Sequence, residues 1–437
     1  MYNLQPKIGL ATIMSPYEVG GDASETQHTR AVKLLEELGV TVCSADRIVD
    51  SDDDGIRVGR QFKGLELDAI CLLFGTYAND TFATSLIEEC SEPPIIWGTN
   101  QFDTGSIAGA QQVSEVLSEM GRYYKLVFGD VDDSRALRQI LATAKVAAAR
   151  RRLRESRVGV VGFQHIAGQT QAAFDEIELR EKIGCRIVGV SMNTFGALMR
   201  GAKIDEVHSL WQKISEGVGK VSVNEEQMTE GVRAYLALKE IVRENKLDAI
   251  AFEDWFEFIG IPNLAFALLN EEGVPAACEA DVHAAVTLYL LALLTGKPAF
   301  HGELLGILEP EDALLVAHYG AGAPGLASSR GQIRLEPDRA SGKGVSVTYQ
   351  VRPGPVTIAS LTGRRDSYRM FVATGESISA REVFHGGVVA NVKFKVNHTE
   401  VLRKARGMSH HWMVAVGDVS DDVVEYCEMS GIRTVVV

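Results

Sequence analysis

Cysteine and proline are scarce in this chain, with 6 and 12 residues among 437. The cysteines, at 43, 71, 90, 185, 278 and 427, are scattered, and none forms a CxxC pair. That excludes a zinc ribbon or a disulfide framework and predicts buried thiols in a reducing cytosol. No long apolar run is found. The longest near the middle, 284–294, carries Thr287 and Tyr289 and is too short to span a bilayer. The opening MYNLQPKIGLATIM lacks a basic segment followed by an apolar one, so no signal peptide, no membrane partner and a cytoplasmic location are expected. Positive charge is also short: 44 Lys and Arg face 58 Asp and Glu, a net charge of −14. This argues against a nucleic-acid partner and leaves room only for a local basic pocket. Walker A, GxSxG and HExxH motifs are absent. Gly159, Gly162 and Gly168 fit a dinucleotide fingerprint poorly in spacing and in context.

What is present reads as a globular chain of two or three domains, 46% apolar and 23% charged. Residues 1–155 alternate short apolar runs with helical patterns. Strands are expected at 8–14, 40–43, 68–74 and 94–97, with helices at 24–38, 80–89, 106–120 and 132–154. Runs apolar on both faces and separated by helices predict a parallel sheet covered on both sides. The arginines at 150, 151, 152 and 154 read as a solvated helix end. Residues 156–298 repeat the pattern, with strands at 158–162, 185–190, 247–252 and 274–278 and helices at 170–182, 225–245 and 281–294. In residues 299–437 the texture changes to short β runs separated by Gly and Pro, which predicts a β-rich, barrel-like module. The expected class is therefore α/β: two Rossmann-like, doubly wound domains followed by a C-terminal β-rich domain.

Ligands of open α/β sheets gather at the carboxyl ends of parallel strands. The run 247–252 leads into Glu253, Asp254 and Trp255, and the run 274–278 leads into Glu279, Ala280 and Asp281. Carboxylates gathered in one cleft repel unless a cation or a shared proton holds them, and they suit a hard divalent ion such as Mn²⁺ or Mg²⁺. The plainer alternative makes Asp281 the cap of its helix and leaves Glu253 exposed. His410 and His411 are adjacent, so at most one is expected to ligate, and packing explains such a pair equally well. His318 precedes a Gly-rich turn, 319–325, that lets backbone approach a ligand or is simply a turn.

Phe252–Trp255 (FEDW), Val274–Leu290 (VPAACEADVHAAVTLYL) and Ser409–Asp418 (SHHWMVAVGD) together resemble the L-fucose and L-arabinose isomerase superfamily. Thr104–Ala110, Phe174–Leu179 and His318–Ser328 fit as well, in the same order along most of the chain. The resemblance marks a divergent, shorter member. It implies the three-part subunit above and a divalent cation, usually Mn²⁺ with Mg²⁺ or Co²⁺ as substitutes. The cation would be held by Glu253, Asp281 and His411, with Glu279 in reserve for Asp281. His283 is read as lining the helix and not as a ligand. The resemblance also implies a sugar pocket lined by Tyr77, Asn79, Thr104, Ser106, His318 and His410. A homo-oligomer, a trimer or hexamer, follows from it too.

The implied reaction is aldose–ketose isomerisation through a cis-enediol, on a hexose, deoxyhexose or pentose or on a sulfonated hexose of the sulfoquinovose type. Glu253 and Asp281 would move the proton between C1 and C2. Two other readings stay open: a non-catalytic sugar-binding or regulatory protein, and an epimerase or aldolase working through the same enediolate.

Overall fold

The computed structural model describes residues 2–163, 169–255, 258–319 and 322–437. Gly168 of the poor dinucleotide match and residues 320–321 of the Gly-rich turn therefore lie outside the described residues. The chain divides into two compact units, Leu4–Arg151 and Arg152–Val437, the second joined by Met1–Asn3.

The first unit is a five-stranded sheet, all parallel. Its spatial order is Thr41–Ser44, Lys7–Ile13, Ala69–Phe74, Pro94–Gly98, Lys125–Phe128. Ala69–Phe74 and Pro94–Gly98 are buried at every position, as strands covered on both faces must be. The helix Asp52–Phe62, which the sequence analysis did not anticipate, starts on Ser51, whose side chain accepts from the Asp54 amide.

The second unit begins with a four-stranded parallel sheet ordered Ala276–Ala277, Ala249–Phe252, Arg157–Val161, Arg186–Val190. Strand order reverses between Arg157–Val161 and Ala249–Phe252, which is where such sheets open a crevice. The helix Val282–Thr295 follows, buried on all sides from Val282 to Leu293. It packs against this sheet on one side and against the β-rich part on the other.

The β-rich part closes on itself. Ala299–Leu308 pairs with Ala313–His318, which pairs with Val388–Phe394. That strand pairs with Arg369–Ile378, which pairs with Gly354–Thr362. Gly354–Thr362 pairs with His411–Val416, which returns to Ala299–Leu308. All six pairings are antiparallel, so the ring has no open edge within it. Ser346–Gln350, Arg334–Glu336 and Lys220–Val221 extend the sheet outside the ring, beside Val388–Phe394. Alternation sorts the side chains: Leu314, Val316, Val388, Ala390, Val392 and Val414 share the enclosed core.

Candidate active site

The site forms where the buried helix meets the ring. Between Ala277 and Val282 the backbone takes positive φ at two successive non-glycine residues, Glu279 at 60° and Ala280 at 52°. Each such residue costs about 1–3 kcal/mol and persists only where its surroundings enforce it. Here the Glu279 amide donates to Asp254 Oδ1 at 2.7 Å, and the Ala280 amide donates to the Phe252 carbonyl at 2.9 Å. These bonds tie the turn to the end of the neighbouring strand and turn Glu279 inward.

Asp281 then caps the helix, its Oδ1 accepting from the Ala284 amide at 3.0 Å. Its other oxygen lies 2.7 Å from His411 Nδ1. With a carboxylate on Nδ1, the second nitrogen of His411 is left to face the site. That Nε2 stands 3.2 Å from Glu279 Oε2 and 3.7 Å from Glu303 Oε1. Glu303 comes from the adjacent strand, in register with His411. His410 Nε2 lies 3.3 Å from the same Glu303 oxygen. One ligand atom from each of Glu279, Glu303, His410 and His411 fits within 4.8 Å of the others. Both adjacent histidines thus reach one carboxylate. Their side chains do not alternate across a strand, because His410 precedes the strand that begins at His411.

Two more imidazoles close the floor. His301 and His318 stack with centroids 4.8 Å apart, and His301 meets the His411 ring edge-on at 4.2 Å. His301 Nδ1 accepts from the Cys278 amide at 3.1 Å. Cys278, His301 and His318 form a second possible donor set.

The electrostatics follow from crowding. Burial disfavours a charged His411, but Asp281 and Glu279 outweigh it and hold the ring's pKa up at about 10. Burial would likewise raise Glu279, yet His411 keeps it down at about 2. Asp254 is pushed up to about 7 by burial and then by the charge of Glu279. His301 and His318 are pushed down, chiefly by burial. Glu279 Oε2, His411 Nε2, His301 Nε2 and both nitrogens of His318 are buried without a hydrogen-bond partner. Unpartnered polar atoms of this kind at one point are costly unless something else engages them. Carboxylate oxygens with imidazole nitrogens are the donor set of a hard or borderline divalent ion, so the residues present fit one.

Of the residues expected at the site, Asp281, His411, His410 and His318 come together. Glu253 stands at the order reversal of the four-stranded sheet, where its Oε2 accepts from the Phe163 amide at 2.9 Å. Gly162 makes that possible: its φ is 102°, and a Cβ there would stand 2.5 Å from Glu253 Oε2. Tyr77, Asn79, Thr104 and Ser106 belong to the first unit. The Tyr77 amide donates to the Thr104 carbonyl at 2.7 Å, and the Ser106 hydroxyl donates to the Phe74 carbonyl at 2.5 Å. Asn79 precedes the helix Asp80–Glu89 without a side-chain cap bond. Sequence reasoning missed Glu303 and His301. Both interrupt the apolar run 299–308 at alternate positions, which is the signal that marks one face of a strand.

An α/β protein with this buried carboxylate and imidazole cluster falls in the class of candidate divalent-cation sites. No family model matches the chain. It is 24% identical over 430 residues to the sulfoquinovose isomerase of Priestia megaterium, covering 94% of this chain and 95% of that one. The sulfoquinovose isomerase of Alkalicoccus urumqiensis is 25% identical over 82% of this chain and 83% of its own. The L-arabinose isomerase of Nocardioides sp. is 24% identical over 75% of this chain and 69% of its own. Among solved structures, a sugar-binding protein of a sugar ABC transporter from Bacillus halodurans covers 70% of this chain and 91% of its own at 15% identity. Its TM-score of 0.18 carries no argument. These likenesses, spread over most of the chain, support a divergent relative of the arabinose and fucose isomerase-like superfamily. No helix among the described residues is long and apolar enough to cross a membrane.

Proposed function

We infer that the protein is an aldose–ketose isomerase acting on a sulfonated hexose of the sulfoquinovose type, with a divalent cation held by Glu279, Glu303 and His411, beside His410. The observation that carries this reading is the pair His411 Nε2 and Glu279 Oε2, buried, 3.2 Å apart and without hydrogen-bond partners. The relatives supply the reaction: both groups are sugar isomerases by name, and the sulfoquinovose isomerase of Priestia megaterium matches almost end to end.

Mn²⁺ suits a set dominated by carboxylate and imidazole, with Mg²⁺ or Co²⁺ as substitutes. When bound, such an ion polarises the two sugar oxygens flanking the migrating proton. The chain's own groups do the rest. Asp281 holds the His411 ring in one tautomer and one orientation through Nδ1. Both Asp281 oxygens are thereby engaged, so its role is positioning and not proton transfer. Glu253, at the crevice of the parallel sheet, is the carboxylate left to take the proton from C2. Asp254, held near neutrality, can return one at C1. His410 stays at the rim, where it steadies Glu303.

The three-domain division, the homo-oligomer and the sugar contacts of Tyr77, Asn79, Thr104 and Ser106 belong to the same reading and rest on the superfamily resemblance.

The test is hydrogen–deuterium exchange at sugar C2 in D₂O, followed by NMR, on a panel that includes sulfoquinovose, with Mn²⁺ and with chelator. Cation-dependent exchange with ketose formation is expected. Exchange without ketose would replace the isomerase with an epimerase. No exchange on any sugar by protein that binds Mn²⁺ would reject the reading.

A further inference from the structure

The strands that hold His318 inward have a second face. Along Val388–Phe394 and Ser346–Gln350, Val388, Ala390, Val347 and Tyr349 point into the enclosed core. The intervening Val389, Asn391, Thr348 and Gln350 line a cavity of about 420 Å³ on the outer side. Small-molecule pockets run from roughly 300 to 1,000 Å³, so this one has room for a compact ligand. None of Glu279, Glu303, His410 or His411 lines it.

Its floor is polar and incompletely satisfied. Gln350 Nε2 donates to the Ala380 carbonyl at 3.0 Å, and Asn391 Nδ2 donates to Gln350 Oε1 at 3.4 Å. That chain fixes both amides and leaves Asn391 Oδ1 as an acceptor without a partner. Thr348 Oγ1 is also unpartnered, and both residues are 2% exposed. An unmade bond of this kind costs about 1–3 kcal/mol, so each atom favours a group that supplies it. A hydroxyl does so for both, donating to the amide oxygen and accepting from the threonine.

The rim carries charge of one sign to spare. Arg334 is paired with Glu382, which also takes His385. Lys220 and Arg381 line the same cavity, and no side-chain hydrogen bond or ion pair is found for either among the described residues. Two uncommitted cations on a chain of net charge −14 make a local attraction for an anion.

We propose that this outer-face cavity is a second ligand site, separate from the cation cluster, for a small polyhydroxylated anion: hydroxyls on Asn391 and Thr348, and the anionic group on Lys220 and Arg381. The inference does not rest on the isomerase reading.

Calorimetric titration of the full chain with glucose 6-phosphate, sorbitol and inorganic phosphate tests it. Glucose 6-phosphate is expected to bind once per chain, at least tenfold more tightly than either of the other two. The double variant Thr348→Val/Asn391→Leu and the double variant Lys220→Gln/Arg381→Gln are each expected to weaken it tenfold or more. Glu279→Gln is expected to leave it unchanged. The second pair is exposed, so it reports even if the first pair perturbs folding. Absence of binding by folded wild-type protein overturns the proposal. So does binding that Glu279→Gln abolishes and the Lys220→Gln/Arg381→Gln variant does not. Sorbitol or phosphate binding as tightly as glucose 6-phosphate would overturn it too, since both halves of the ligand are required.

Discussion

Asp281 and His411 are 130 residues apart in the chain and 2.7 Å apart in the fold. The bond joins the cap of the buried helix to the first residue of a ring strand, so one carboxylate does two jobs. Asp281→Asn separates them. Asparagine caps a helix as well as aspartate, so the helix cap is kept. The charge that orients His411 is lost, and Mn²⁺ affinity should fall about 10–100-fold. Asp281→Ala should lose the same affinity and about 1 kcal/mol of stability in addition. Calorimetry with Mn²⁺ beside a urea melt distinguishes the two variants.

Glu279→Gln keeps the shape of the side chain and removes its charge. Isomerisation and Mn²⁺ binding should both be abolished within detection, while far-UV circular dichroism stays that of the wild type. Retained Mn²⁺ affinity would take Glu279 out of the ligand set.

His411→Asn should abolish cation binding, whereas His410→Asn should weaken it by no more than about tenfold. The physical ground is exposure. The His411 side chain is 1% exposed and meets two carboxylates, while that of His410 is 43% exposed and its contact with Glu303 is screened by water. Equal losses in the two variants would contradict this ordering.

Cation removal should show in stability. A ligand that binds only the folded state, at a free concentration a hundred times its Kd, adds about 2.7 kcal/mol. Chelator should therefore lower the melting temperature of the Mn²⁺-loaded wild type and leave that of Glu279→Gln unmoved.

Gly162→Ala should destabilise by about 1–3 kcal/mol, because an L side chain at φ 102° is strained and its Cβ would meet Glu253 Oε2 at 2.5 Å. If Glu253 takes the C2 proton, the same variant should lower kcat by more than it raises KM. A urea melt with steady-state kinetics reads both effects.

Much of this was legible in the sequence. The strand expected at 247–252 is found at Ala249–Phe252, and the one expected at 274–278 is found at Ala276–Ala277. Each delivers its acidic residues at its carboxyl end, because a run apolar on both faces can end only where the sheet meets polar surroundings. Asp281 is both the cap that the plainer alternative required and a partner of His411. Glu303 was not legible, since its place beside His411 depends on the register of two strands more than a hundred residues apart. The helix Met192–Gly201 carries no expectation either. It opens on Asn193, Thr194 and Gly196, weak helix formers, and is held by packing against the long helix Glu225–Asn245.

The strand Val388–Phe394 serves two masters. Its even-numbered residues fill the core behind His318, and Val389 and Asn391 line the outer cavity. Because side chains alternate with a period of two, inserting or deleting one residue there would turn the whole set over. Asn391 would be driven into hydrocarbon and the valines into the pocket. Descendants of this chain can therefore exchange residues along that strand only like for like on each side, and its length is frozen.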